Sequence, residues 1–168
     1  MTAPTLPGFT PARPVPAPAG AGPAPRTYTV TLKTGLKLLN ANQRPHYRQR
    51  AERTAAIRAA AMEAVSESST LMDALAEAKP DALFQRAHVL GVLHPPTNGR
   101  RDPANWYPSF KAAVDGLVDA GLLEDDDHTR LLGPDMRLGH VVKGGQLVLH
   151  IRELAPGEQW PDLGAVTR

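Results

Sequence analysis

The chain has 168 residues and a mass of 18.0 kDa, with 19 Lys+Arg against 17 Asp+Glu and no cysteine. That length suits one domain with a sizeable core and is too short for a two-domain cofactor enzyme. Disulfides, thiolate nucleophiles, zinc ribbons and iron–sulfur clusters are excluded, and no run approaches the roughly 18 apolar residues of a membrane-spanning helix.

Residues 1–26 hold 8 of the 17 prolines, with Ala and Gly between them. Each proline lacks an N–H and fixes its own φ, so neither a helix nor a central strand propagates there. The stretch has few large apolar side chains to offset the entropy of ordering, and it lacks the apolar run of a secretory signal. It reads as a disordered, partly extended tail. Its two charges are Arg13 and Arg26; without them, basic and acidic residues balance at 17 each. The whole-chain excess of base is therefore no argument for nucleic-acid binding.

Tyr28, Val30 and Leu32 alternate with polar residues, which predicts a strand over 27–33. Asn40 to Pro45 reads as a loop. Tyr47 to Val65 is rich in helix formers, and Ala55, Ala59 and Met62 at i, i+4 and i+7 suggest its buried face. A break over 66–70 precedes a short second helix over 71–79, ended by Pro80. Phe84 to His94 is apolar on both faces, as in a central strand covered on both sides. A Pro/Gly/Asn loop over 95–107 leads to a helix with Pro108 in its first turn and Gly121 at its end. Phe110, Val114, Leu117 and Val118 form its core stripe, and Lys111, Asp115 and Asp119 lie four apart on another face.

A strand over 129–138, interrupted at Gly133-Pro134, a turn at Lys143-Gly144-Gly145 and an alternating strand over 146–153 complete the pattern, with 155–168 a loose extension. The last two strands are expected to pair as a hairpin. The order predicts an α+β domain over 27–154, with a mixed β-sheet flanked by helices.

Charge is segregated along the chain. Seven basic residues and one acid lie between Lys33 and Arg58, and seven acids and one base between Asp102 and Asp127. The first segment could neutralise phosphates, and the second repels them unless a cation intervenes; two solvated faces that pair with each other are the ordinary alternative. Asp125, Asp126 and Asp127 repel one another. A surface turn would screen that repulsion, and a bound divalent ion would offset it. Asp102 sits in a loop after an apolar strand, beside Arg100 and Arg101. Carboxylates from two loops, with a lysine such as Lys111, match what metal-assisted phosphodiester hydrolysis needs. The ordinary alternative for Lys111 is an i,i+4 salt bridge to Asp115. A 13-residue helix is about 20 Å long, so Asp102 and the 125–127 run flank its opposite ends. Either residues 121–126 fold back along the helix, or the acids meet across a dimer interface. His88 and His94 share a strand face but lie too far apart to chelate one ion, and His128 is a candidate to assist water. Trp106 and Tyr107 either stack on an unpaired base or anchor their loop to the core.

Three segments carry a resemblance: Arg101-Asp-Pro-Ala-Asn105, then Lys111-Ala-Ala-Val-Asp-Gly-Leu117, then Ala120-Gly-Leu-Leu-Glu-Asp-Asp126. Together they resemble the core signature of RusA-type Holliday junction resolvases, in which Asp-x-Asp-Asn is followed by Lys-Ala-x-x-Asp-x-Leu and a closing Asp-Asp. The resemblance covers about residues 27–154. It implies a RusA-like, homodimeric fold and a magnesium-dependent endonuclease, with manganese as an alternative metal. Its expected substrate is branched DNA, the four-way Holliday junction, and its setting is the cytoplasm, often from a phage or prophage. Carried over by position, Asp102, Lys111 and Asp126 are the catalytic set. Asp102, Asp126, Asp125 and Asp115 are the candidate metal ligands. Arg44, Arg48, Arg50, Arg100, Arg101 and Asn105 are the candidate DNA contacts. Two departures stand out. Ala104 replaces the second motif carboxylate, and Trp106 to Phe110 lengthen the gap before Lys111. A non-catalytic branched-DNA-binding protein on the same scaffold is the alternative.

Overall fold

The computed structural model describes residues 24–158. The expected tail over 1–26 and extension over 155–168 lie outside them, apart from 24–26 and 155–158. In chain order come β1 (Thr27–Thr31), α1 (Tyr47–Ser66), α2 (Ser69–Ala78), β2 (Ala87–His94), a single 3-10 turn (Pro103–Trp106), α3 (Tyr107–Asp119), β3 (Leu131–Leu138) and β4 (Gln146–Glu153). The described residues are α+β, with a four-stranded mixed sheet and three α-helices.

The sheet order is β1–β4–β2–β3. β4 runs antiparallel to both β1 and β2, while β2 and β3 are parallel. The expected β3–β4 hairpin is therefore wrong: β2 lies between them. The chain after β3 continues beside the end of β2, with Gly139 N–H donating to Leu93 O at 2.8 Å and Val142 N–H to Pro95 O at 3.0 Å. The turn at Lys143-Gly144 then passes that end, and β4 returns on the far side. Gly144 and Gly145 take the positive φ this reversal needs, +86° and +73°.

α3 and α1 pack against each other at Gly116, where an added Cβ would stand 2.4 Å from Arg58 O and 2.8 Å from the Ala61 Cβ. The buried face of α1 is Ile57, Ala60, Ala61 and Val65; Ala55, Ala59 and Met62 face solvent, contrary to expectation. The α3 stripe lies as expected, with Phe110, Val114 and Leu117 fully buried and Val118 partly so. The Phe110 ring rests on Gly91 of β2, a strand position without a side chain. β2 is the central strand, but its two-sided cover is incomplete: Val89 and Leu93 join the core while Leu90 and Val92 stay half-buried. Ser68 caps α2, accepting from Leu71 N–H at 3.3 Å. None of the described helices is long and apolar enough to cross a membrane.

Candidate active site

The N-terminal half of α3 gathers three loops. Ser109, fully buried in its first turn, donates to Leu39 O at 2.8 Å and accepts from Leu39 N–H at 2.7 Å. Ala41 N–H donates to Asn105 O at 2.6 Å. These bonds join the loop that leads into α1 to the loop that leads into α3. Arg44, Arg48 and Arg50 are therefore brought to the same end of the molecule as Arg100, Arg101 and Asn105. Arg44, Arg48, Arg50 and Arg100 are exposed. Arg101 is turned back onto its own loop, donating to Thr97 O at 2.7 Å and Thr97 Oγ1 at 2.8 Å. Sequence reasoning missed Ser109, which touches no ligand but fixes this junction; a small polar residue in an otherwise apolar first turn was its only mark.

The third loop arrives by reversal. Gly121, with φ +84°, turns the chain at the end of α3. Leu83 and Phe84 N–H then donate to Gly121 and Leu122 O at 3.0 and 2.9 Å. Phe84 and Leu123 form a parallel bridge, so the segment after Gly121 runs alongside the approach to β2. The fold-back within one chain is made, but it does not join the acidic run to Asp102. It brings Asp126 to Lys111.

Lys111 Nζ donates to Asp115 Oδ1, one helical turn on, and to Asp126 Oδ2 from the returning loop. All three side chains are partly exposed. Burial pulls the Lys111 ammonium down, but the bonds to Asp115 and Asp126 outweigh it, so its pKa ends above the ordinary lysine value. Asp119, the next acid on that helix face, pairs instead with Arg58 of α1 and is held below its usual range by that bond.

The remaining acids turn elsewhere. Asp102 accepts from Ala104 N–H at 3.0 Å and caps the 3-10 turn. Asp125 accepts from Asp126 N–H at 2.7 Å. Asp127 accepts from Thr129 N–H and Oγ1, both at 2.6 Å, and these bonds lower its pKa. His128 is exposed, Trp106 packs against the core, and Tyr107 stays 47 % exposed beside it. His88 is buried on β2 and bonds Asp135 of β3 at 2.7 Å, while His94 Nδ1 donates to His140 O at 3.0 Å.

Asp115 and Asp126 fit magnesium in kind. Their oxygens converge on one cation, here an ammonium, and magnesium takes one or two carboxylates with water and phosphate completing its shell. The four expected ligands do not converge. Among the described residues, no three His, Asp or Glu side chains stand close enough together to hold a metal ion. No protein-family model matches the chain, and no curated protein does.

Proposed function

We propose that this chain is a magnesium-dependent endonuclease that resolves four-way DNA junctions as a homodimer, in the manner of the RusA-type resolvases its motifs resemble. The observation that carries the reading is the convergence of Asp115 and Asp126 on Lys111, on the helix whose N-terminus adjoins the loops that bear the exposed arginines. A two-fold dimer would offer paired sites to a two-fold substrate, in the cytoplasm where such DNA is processed.

Asp126, with Asp115 beside it, would hold the ion. Asp102 does not stand in a group with them, and would join only if its loop moved toward Asp126. Magnesium, when bound, supplies an activated water and withdraws charge from the phosphate oxygens. Lys111 carries a charge that its carboxylate partners keep protonated at neutral pH, placed to offset charge that develops on the leaving oxygen. Arg44, Arg48, Arg50 and Arg100 bind backbone phosphates on either side of the α3 N-terminus, whose own N–H groups favour an anion.

The test is a synthetic four-way junction and a linear duplex, each incubated with and without magnesium. Symmetric nicks in the junction alone, dependent on magnesium, are expected. Asp126→Asn should keep junction binding and lower nicking by at least about 100-fold. Normal cutting by that variant refutes the assignment. A second reading, a branched-DNA-binding protein without catalysis, is favoured by Ala104 in place of a carboxylate and by the separation of Asp102 from Asp126. It requires salt-sensitive junction binding with no magnesium-dependent product.

A further inference from the structure

A cavity of about 830 Å³ lies at the opposite end of the sheet, where β2 and β3 begin and β4 ends. Three arginines that no sequence motif connects, Arg86, Arg130 and Arg152, share its wall with Pro25, Leu154 and Pro156. Its carboxylates are committed. Glu153 is bound by Arg26, and Glu158 by Arg152 and the Ala155 N–H. Arg130 pairs with Glu124 and also donates to Gln85 Oε1 at 3.1 Å. Arg86 differs. Its Nε donates to Thr129 O at 3.2 Å and a terminal nitrogen to Ala155 O at 2.9 Å, and no carboxylate bonds it among the described residues. Its charge is set in place by carbonyls, and the anion it meets, Glu158, acts on it through space and is already bonded by Arg152. The cavity volume is ample for a ligand of small-molecule size, and its wall combines a fixed guanidinium with proline and leucine surface.

The cavity also connects to the candidate active site. Thr129 lines it and donates twice to Asp127, the neighbour of Asp126. Thr129 follows Asp126 within one short segment, which sets the cavity beside the loop that carries Asp126.

We propose that this cavity is a nucleotide subsite, which seats one base of a DNA strand against Pro25, Leu154 and Pro156 with its phosphate on Arg86. Phosphate is recognised by the terminal N–H groups of Arg86 that Thr129 O and Ala155 O do not take, and the base by apolar contact that does not read sequence. The proposal takes its substrate, DNA, from the nuclease reading above. It adds to that reading a binding site remote from the arginines of the α1 and α3 loops.

The test is titration of the full chain, without magnesium, by thymidine 5′-monophosphate, thymidine, inorganic phosphate and a five-nucleotide oligothymidylate, followed by NMR of arginine Nε–H groups. The monophosphate should perturb Arg86, bind more tightly than thymidine or phosphate, and bind less tightly than the oligonucleotide. Arg86→Gln, whose amide can still reach a carbonyl, should weaken the monophosphate by at least about tenfold. Gln85→Glu, which keeps a partner for Arg130 and adds a negative charge to the wall, should weaken it without touching Arg86. Equal binding of phosphate and monophosphate overturns the base contact. Binding of free monophosphate but not of the oligonucleotide overturns the DNA strand as source. Unchanged affinity in both variants overturns the site. Junction nicking by the same preparations separates the two readings: nucleotide binding without nicking rejects the nuclease alone, and nicking unaffected by either variant with no nucleotide binding rejects the cavity alone.

Discussion

Arg26 closes the described domain onto itself. Its Nε donates to Glu153 Oε2 at 2.8 Å, a terminal nitrogen donates to Leu83 O at 2.8 Å, and its guanidinium lies 5.2 Å over the Phe84 ring. The hydrogen bond from Arg26 outweighs the opposing cost of burial and holds the Glu153 carboxyl below its usual value. A carboxylate depressed in the folded state adds stability above its unfolded pKa, and that stability is lost as pH falls through the folded value. Arg26→Ala should therefore lower stability at neutral pH by about 1 kcal/mol, since the pair is partly exposed and the ring contact is of similar size. In urea melts across acid pH the difference from the parent should narrow below the ordinary glutamate range. A gap that stays constant to the acid limit would assign the loss to the Leu83 and Phe84 contacts alone. The sequence places Arg26 with the proline-rich tail because composition changes there. Its partner lies 127 residues away, and no local pattern records a bond of that span.

Between elements, the decisive contact is the approach of α1 to α3. Gly116 leaves no room for a Cβ, and the nearest obstacle is the backbone carbonyl of Arg58, which cannot swing aside as a side chain would. Gly116→Ala gains roughly 1 kcal/mol of helix propensity but must push the helices apart, which costs about 1–3 kcal/mol or more. We expect net destabilisation, measured by chemical denaturation, with Lys111 and Asp115 displaced on the same helix. A more stable variant would mean that the helices have slack. The α3 face was legible because Phe110, Val114 and Leu117 are large and regularly spaced. The α1 face was misassigned because alanines surround the helix; the two apolar β-branched residues, Ile57 and Val65, eight apart with Ala61 between, mark the side that is buried. The strand positions were legible from alternation, but pairing was not. Adjacent strands joined by a Gly-Gly turn resemble a hairpin whether or not another strand lies between them, and only the pairing of β2 with both β3 and β4 decides it.

Across the molecule beyond residue 26, equal numbers of acids and bases mean that any attraction to DNA comes from where charges stand. The Lys111–Asp115 pair was legible as an i,i+4 spacing, and Gly121 marked a reversal. That the reversal delivers Asp126 to Lys111 within one chain was not, because a dimer contact satisfied the same sequence. The arginines around the α3 N-terminus come from two segments about 50 residues apart, joined through Ala41–Asn105 and Leu39–Ser109. Gathered there, they offer a phosphate backbone positive charge beside the helix that carries Lys111. Each phosphate neutralised releases counterions and adds about 0.9 to the slope of log affinity against log salt. Arg48 and Arg50 are exposed at the start of α1, so replacing both with alanine should leave folding intact and reduce that slope for a four-way junction by about 1 to 2. The variant should bind more weakly at low salt and approach the parent at high salt, as fluorescence anisotropy over a salt series would record. An unchanged slope would place the DNA on another face and remove the charge argument for the α3 end.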